Sequence, residues 1–542
     1  MAGHRLSRHL VYGCGGMICS NSPLAASVGI KVLQEGGNAF DAALAVAAVE
    51  TVVILPACGL GGDAFILLYE ARTGTITGIN SSGVAATGAT SEYYRSQGQH
   101  VMPLDGPHAV SVPGEVAAWE ELHRRFCTQP FAQLLDSAIG YAANGFPVPP
   151  GIGRSLASNA GKLAQFPSTA SVLLGTGAPP REGDILVNKD LARSLQLVAK
   201  GGADEFYRGD LARRMVQGLQ AGGGLFTTAD FAGHQAEIYA PIATTYRGHT
   251  VYQTRPPSQG FVLLEMLNLV EGFDLTQLGQ NSPEAIHLMV EAKKIAYADR
   301  NRVAGDPRLV DWPLDELISK TYAAERRGDI YPDRVNAGLA AMQPVEVDGD
   351  TTYFCAADGA GNSVSWIHSL SNAFGSGYIA EGTGILFNNR AGRGFSLTPG
   401  HPNEIAPGKR TMHTLNCYLV TKDDQPVIIG GTPGGDHQPQ CNLQVLTNLI
   451  DFAMDPQAAV EAPRWWSFPG TDPATVHREM ELRVEAEMPE DTVRGLEGLG
   501  HRVVRRRPGV YDGKVQVIIR DPQRGVLMGA SDPRGDGHAA AL

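Results

Sequence analysis

The sequence has no run of about 18 uncharged apolar residues, so no segment of it reads as a membrane-spanning helix. Its most apolar stretch, residues 40–55, is broken by Asp41 and Glu50. Basic residues are the minority, 44 against 56 acidic for a net charge of −12, which argues against a nucleic-acid partner. Cysteine is scarce and irregular. The seven residues Cys14, Cys19, Cys58, Cys127, Cys355, Cys417 and Cys441 are odd in number and contain no CxxC. That pattern disfavours a disulfide framework or a zinc site and fits a reducing compartment. No apolar segment of useful length follows the basic start MAGHRLSRH, so no secretory signal is read and a cytoplasmic location is expected. Internal repeats, low-complexity segments and the motifs GxxxxGK[ST], HExxH and GxSxG are all missing.

Apolar residues make up 43% of the 542, charged residues 18%, enough hydrophobe for a large core. Glycine, 65 residues without a G-X-Y period, reads as many tight turns. Residues 34–55 predict a helix capped by Asn38, with Asp41 at its third position and an alanine-rich body suited to close packing. A glycine turn, a buried strand at 64–69, a Thr-Gly turn and a second strand follow. Residues 114–145, 190–222, 282–305 and 443–461 predict further helices. The third has Ser282 as its cap and Ile286, Met289, Val290, Ala296 and Tyr297 along one face. Residues 325–350 read as an exposed polar connector. Beyond it come a strand, an Asp-Gly turn and a second strand (351–370), then a strand over 416–430 with a Lys-Asp-Asp turn inside, and a last hairpin near 515–528. Helices set apart from a strand-rich centre imply a layered sandwich.

Two motifs are decoys. Gly59-Leu60-Gly61-Gly62-Asp63-Ala64 fits the dinucleotide fingerprint GxGxxA. That fingerprint needs a strand before it and a helix after it, and here the order is reversed. Asp436 and His437 near Cys441 resemble metal ligands but read as polar residues beside a Gly-Gly turn. Two other segments carry chemistry. Thr351 opens a strand directly after the connector. If the chain is cut before it, the freed α-amine, with a pKa near ~7.7–8.0, can take the proton of its own hydroxyl. The alternative is that Thr351-Thr352 merely begins a hairpin. In Gly430-Gly431-Thr432-Pro433-Gly434-Gly435, adjacent glycines can aim backbone N–H groups at an oxyanion, or can simply form a turn.

In combination and order, these segments resemble the γ-glutamyltranspeptidase family of self-cleaving N-terminal-nucleophile hydrolases. The resemblance runs over nearly the whole chain: GGNAFDAALAVAAVE (36–50), GLGGDAFILLYEARTG (59–74), SVPGEVAAWEELHRRF (111–126), LLDSAIGYAANGFPV (134–148), DTTYFCAADGAGNSVSW (350–366), FGSGYIAEGTGILFNN (374–389), APGKR (406–410), GGTPGG (430–435), LQVLTNLIDFAMDPQAAVEAPRW (443–465) and GASDPR (529–534). It implies an α+β fold, the αββα four-layer sandwich of the N-terminal nucleophile hydrolase type. It further implies cleavage between Asp350 and Thr351 into a large subunit, 1–350, and a small subunit, 351–542, intertwined in one domain. Thr351 would be the nucleophile, Ser369 would take the place of the family's assisting second Thr, and Gly434 and Gly435 would hold the oxyanion. No metal or organic cofactor is implied. The partners would be a small amide substrate, the two subunits of one precursor, and in some form a homo-oligomer of the processed pair; no nucleic-acid or membrane partner is expected.

The substrate pocket departs from the family pattern. Ser82 stands where a carboxylate-binding Arg is usual, His413 and Thr414 replace a Ser-Ser pair, and Ser371 replaces an Asn. An acidic loop that would hold an α-ammonium becomes Asn388–Gly394, with Arg390 and Arg393. Guanidinium groups repel an ammonium and pair with carboxylates. The expectation is therefore an amidohydrolase for a small anionic acyl group, oxamate-like. The alternatives are a γ-glutamyl hydrolase or transferase acting on glutathione-like donors, and a catalytically silent paralogue.

Overall fold

The computed structural model describes residues 8–175, 178–340, 350–468, 480–507 and 513–542. Residues 341–349 of the expected connector lie outside them. Two seven-stranded sheets form the centre. One runs Val11–Gly13, Val526–Ser531, Gln516–Asp521, Gln425–Gly431, Cys417–Lys422, His249–Gln253, Ile242–Tyr246. The other runs His538–Ala541, Gly16–Ser20, Asp350–Asp358, Ser363–Ser371, Asp63–Glu70, Thr75–Ser81, Glu237–Tyr239. All neighbouring strands in both are antiparallel.

The two sheets face each other across a core of Met17, Cys19, Phe65, Leu67, Tyr353, Cys355, Ile367, Leu419, Ile429 and Ile518. Strand periodicity divides each element between layers. Tyr353, Cys355 and Ile367 point between the sheets, while Phe354, Ala356, Val364 and Trp366 point to the helices on the outer face. There the helix Ala39–Val53, buried at every residue, packs against the hairpin Asp350–Ser371. The helices Gly260–Val270, Pro283–Val303 and His437–Ile450 make the outer layer of the other sheet. The result is the four-layer helix–sheet–sheet–helix sandwich expected.

Local chemistry explains where the observed elements differ from their predicted spans. Asn38 does cap its helix, in a reciprocal box with Asp41. Asp41 also takes the backbone N–H groups of Thr128 and Gln129. That capture, with Pro130 just after it, splits the long helix predicted over 114–145 into Glu115–Phe126 and Phe131–Asn144. The helix predicted over 190–222 breaks at Arg208-Gly209. The one over 443–461 begins earlier, at His437, and restarts at Pro456 after the cap Asp455. The segment 416–430 is a hairpin rather than one strand, because Asp423 and Asp424 take positive φ and reverse the chain.

Candidate active site

Thr351 lies at an irregularity of the sheet. The register runs Asp350 opposite Ser371 and Thr352 opposite His368, so Thr351 stands opposite two residues, Ser369 and Leu370, and the extra residue belongs to the partner strand. Its Oγ1 donates to Ser369 Oγ at 3.0 Å. Ser369 Oγ in turn donates to the Asp350 carbonyl oxygen at 2.8 Å and accepts from Ser371 N at 2.7 Å. One hydroxyl thus touches both the attacking oxygen and the carbonyl of the bond before it. Ser371, directly across from Asp350, has φ 87°, a conformation that residues other than glycine rarely adopt, and its buried hydroxyl has no partner among the described residues.

Ser369 is the register partner of Asp63 on the next strand, on the face between the sheets. Asp63 went unread in the sequence except as part of a decoy, yet it organises the pocket. Its Oδ2 accepts from Arg390 Nε (3.3 Å) and His413 Nε2 (3.1 Å), and its Oδ1 from Gly83 N (3.1 Å). Burial raises its carboxyl pKa, but the His413 hydrogen bond, the Arg390 charge and the Gly83 N–H outweigh that and hold it below the usual range. Burial, with the charges of Arg390 and Arg393, pushes His413 down to about 4. His413 is therefore neutral near pH 7. With Nε2–H on the carboxylate, its Nδ1 is a bare acceptor, buried and without a partner among the described residues. Arg390, lowered by burial to about 10, stays charged, and its Nη2 has no partner among the described residues.

This corrects the expectation of two unopposed guanidiniums: Arg390 is balanced by Asp63. Arg393, on the same short segment Arg390–Gly394, is buried beside it. Thr414 Oγ1 is another buried hydroxyl with no partner among the described residues. Ser82 is not aimed into this cluster. Its hydroxyl donates to Asn80 Oδ1 at 2.7 Å, and its carbonyl accepts from Arg410 Nε.

Gly434 and Gly435 follow the strand Gln425–Gly431 with φ 127° and 56°, open to glycine and strained for other residues. Their N–H groups have no acceptor among the described residues. They stand just ahead of the helix His437–Ile450, whose dipole favours negative charge at that end. Gln259 couples this turn to the pocket loop: its Nε2 donates to Thr414 O (2.7 Å) and Gly435 O (3.0 Å), and its N to His413 O (2.9 Å). Arg300 holds Gln259 and Asp436 together. Contacts therefore run without a gap from Thr351 through Ser369, Asp63, Arg390 and His413 to Thr414, Gln259 and Gly435.

Two buried groups among the described residues have the spacing of metal ligands: Glu50, Cys58 and His368, and His287, Glu291 and His501. In the second, His287 Nδ1 already faces His501 Nε2 at 2.8 Å and Glu291 holds Lys294. Asp436 and His437 are in neither group.

The sandwich is the fold of the N-terminal-nucleophile hydrolases. The γ-glutamyltranspeptidase family model matches residues 25–542. The chain is 40% identical to the glutathione hydrolase-like YwrD proenzyme of Bacillus subtilis, over 98% of this chain and 99% of that one. It is 34% identical to the oxamate amidohydrolase proenzyme of Klebsiella pneumoniae, over 97% and 98%. The crystal structure of cephalosporin acylase from Bacillus halodurans superposes with a TM-score of 0.92 at 35% identity, covering 100% of this chain and 98% of that one. The chain belongs to the γ-glutamyltranspeptidase family, and its class is that of hydrolases acting on amide C–N bonds. Among the described residues no helix is long and apolar enough to cross a membrane.

Proposed function

We propose that the protein is a self-processing N-terminal-threonine amidohydrolase whose substrate is a small amide with an anionic acyl group. In the precursor, Thr351 Oγ1 attacks the Asp350 carbonyl carbon, which Ser369 polarises. The peptide C–N bond breaks, leaving an ester that water hydrolyses, and the chain separates into 1–350 and 351–542. The freed α-amine of Thr351 then takes the hydroxyl proton as Oγ1 attacks the substrate carbonyl. Gly434 and Gly435 donate to the developing oxyanion. Collapse breaks the substrate C–N bond, the ammonium returns its proton to the leaving amine, and water releases the acid from Thr351.

Arg390 Nη2 supports the anionic-acyl reading best: a buried, charged donor with no partner among the described residues, beside Asp63, which already neutralises part of it. Arg393, His413, Thr414 and Ser371 complete the pocket; Ser82 acts only through the Asn80 turn beside Gly83. A carboxylate satisfies the guanidinium, and an oxamate-like acyl group carries one next to its scissile carbonyl. The seven unpaired cysteines fit a cytoplasmic location.

A γ-glutamyl donor is the second reading, because Asp63 is a carboxylate in the pocket. Its oxygens are taken by Arg390, His413 and Gly83, however, and an ammonium would have to displace them. Purified processed enzyme, assayed for ammonia release from a panel of small amides and for aniline release from γ-glutamyl-p-nitroanilide, is expected to favour an anionic amide by at least ~10²-fold. Arg390→Ala and Arg393→Ala should weaken use of the anionic amide and barely change a neutral one. γ-Glutamyl-p-nitroanilide or glutathione as best substrate, with both variants harmless, overturns the reading.

A further inference from the structure

Behind the nucleophile, on the face of the sheet turned to the helices, lies a second buried polar cluster. His368, the residue before Ser369, places Nε2 2.9 Å from Glu50 Oε2 and Nδ1 2.9 Å from Glu115 Oε1. Glu50 comes from the otherwise apolar helix Ala39–Val53, and Glu115 from the first turn of Glu115–Phe126. Glu50 also accepts from Ser20 Oγ (2.6 Å) and Thr352 Oγ1 (3.0 Å), and Glu115 from Trp119 Nε1 (2.9 Å). The His368, Glu50 and Glu115 side chains are all 0% exposed. A ring with a carboxylate at each nitrogen donates from both and is an imidazolium. Burial disfavours that charge, but Cys58 and then Glu115 beside the ring outweigh it, so His368 titrates well above the ordinary imidazole range.

The cluster grips the rung next to the chemistry. Thr352 and His368 are register partners, adjacent to Thr351 and Ser369. It also spans the proposed cut: Ser20, Glu50 and Glu115 precede it, and Thr352 and His368 follow it. Once the Asp350–Thr351 bond is broken, the new chain end has no covalent tether on its N-terminal side. Side-chain contacts to Thr352 from Glu50 and from Asn21 Nδ2 (3.3 Å) then hold its first rung.

We propose that the Glu50–His368–Glu115 bridge is a positioning device for the N-terminal nucleophile: it clamps the Thr352 rung, next to Thr351, from the opposite face, and its imidazolium offsets Glu50 so that the freed α-amine keeps its basic form. The inference rests on Thr351 being the nucleophile. His368 faces away from the pocket and is a positioning residue, not a catalytic one. The charged groups around this part of the sheet are Glu50, His368 and Glu115 on the helix side, Asp63 and Arg390 on the pocket side, and Asp350, whose carboxyl is raised by burial against the Lys514 charge and a hydrogen bond accepted from Thr351 N. Cys58, beside His368, is pushed up to about 12 by burial, against the pull of the His368 ring. Removing the imidazolium leaves Glu50 uncompensated and favours the ammonium form of Thr351. Removing Glu50 does the opposite.

The test is the pH dependence of kcat/KM for processed enzyme on its best amide. His368→Gln should move the acidic limb up by about one pH unit and Glu50→Gln should move it down by a similar amount. The double variant, with both charges replaced by hydrogen-bonding amides, should return close to wild type. In all three, kcat should change more than KM. Acidic limbs that superpose on wild type in the folded, processed variants overturn the proposal and leave the bridge a purely structural contact. If His368→Gln fails to fold, Glu50→Gln and the double variant decide it, since an unmoved limb in Glu50→Gln is sufficient to reject it. A Thr351→Ala protein that still hydrolyses the amide defeats the nucleophile reading instead, a result distinct from either.

Discussion

Thr351, Ser369 and Asp63 stand in one row across three strands, and each is useful because of the one beside it. Ser369 has a single proton, which it gives to the Asp350 carbonyl. It can therefore accept from Thr351 while polarising the bond that Thr351 attacks. The expected consequence is direct. Denaturing gels of wild type should show chains of 350 and 542 − 350 = 192 residues, the shorter beginning TTYFCAAD by N-terminal sequencing. Thr351→Ala should remain one chain of 542 residues. A Thr351→Ala protein cut at the same bond removes Thr351 from the mechanism. Asp63 shows how a residue can be in plain view and still be unreadable. It sits in a glycine-rich turn that suggests a nucleotide loop, while its partners Arg390 and His413 lie 327 and 350 positions away.

The elements that matter here are short and specific. The turn carrying Gly434 and Gly435 needs positive φ twice in succession, so a branched side chain at either position moves the N–H groups rather than merely crowding them. Gly435→Val is expected to retain the fold and lower kcat by ~10²–10³-fold, the usual effect of losing one oxyanion donor. Wild-type turnover in folded, processed Gly435→Val would exclude the turn from catalysis. The helix Ala39–Val53 illustrates the opposite case. Its cap, length and close packing follow from composition, and Glu50 already stood out as a charge in an apolar run. A charge there has to find a partner, but only the tertiary arrangement shows that the partner is His368.

For the molecule as a whole, the buried histidines set a limit on the acid side. Burial drives His234 and His501 to about 3 and His413 to about 4, whereas each regains an ordinary pKa near ~6.5 when unfolded. Between those values the unfolded chain binds more protons, so stability is fully present above about pH 6.5 and falls as pH drops toward 4. Each group contributes ~1.4 kcal/mol per pH unit in that window, so the three together approach ~4. His368, shifted the other way, contributes stability that is complete below ~6.5 and lost only at higher pH, so it does not offset the fall. Thermal melts should show Tm highest near pH ~6.5–7, dropping steeply between pH ~6 and ~4.5 and falling more gently at higher pH as the His368 contribution is lost. A level Tm across that lower range would mean these rings are not held neutral.

Local patterning was enough to predict the layered sandwich and to single out Thr351 and the Gly434-Gly435 turn, because periodicity, caps and turns are written within a few residues of one another. The resemblance of the ordered motifs to a known family supplied the family and added Ser369. Which charges compensate which was decided only in three dimensions. Electrostatic pairing acts over a few ångströms in space with no regard to separation along the chain. A strand pairing set Ser369 opposite Asp63, and a helix crossing brought Glu50 against His368. Until those contacts exist, Arg390 looks unopposed, Asp63 looks like part of a loop, and His368 looks like one more residue of a buried strand.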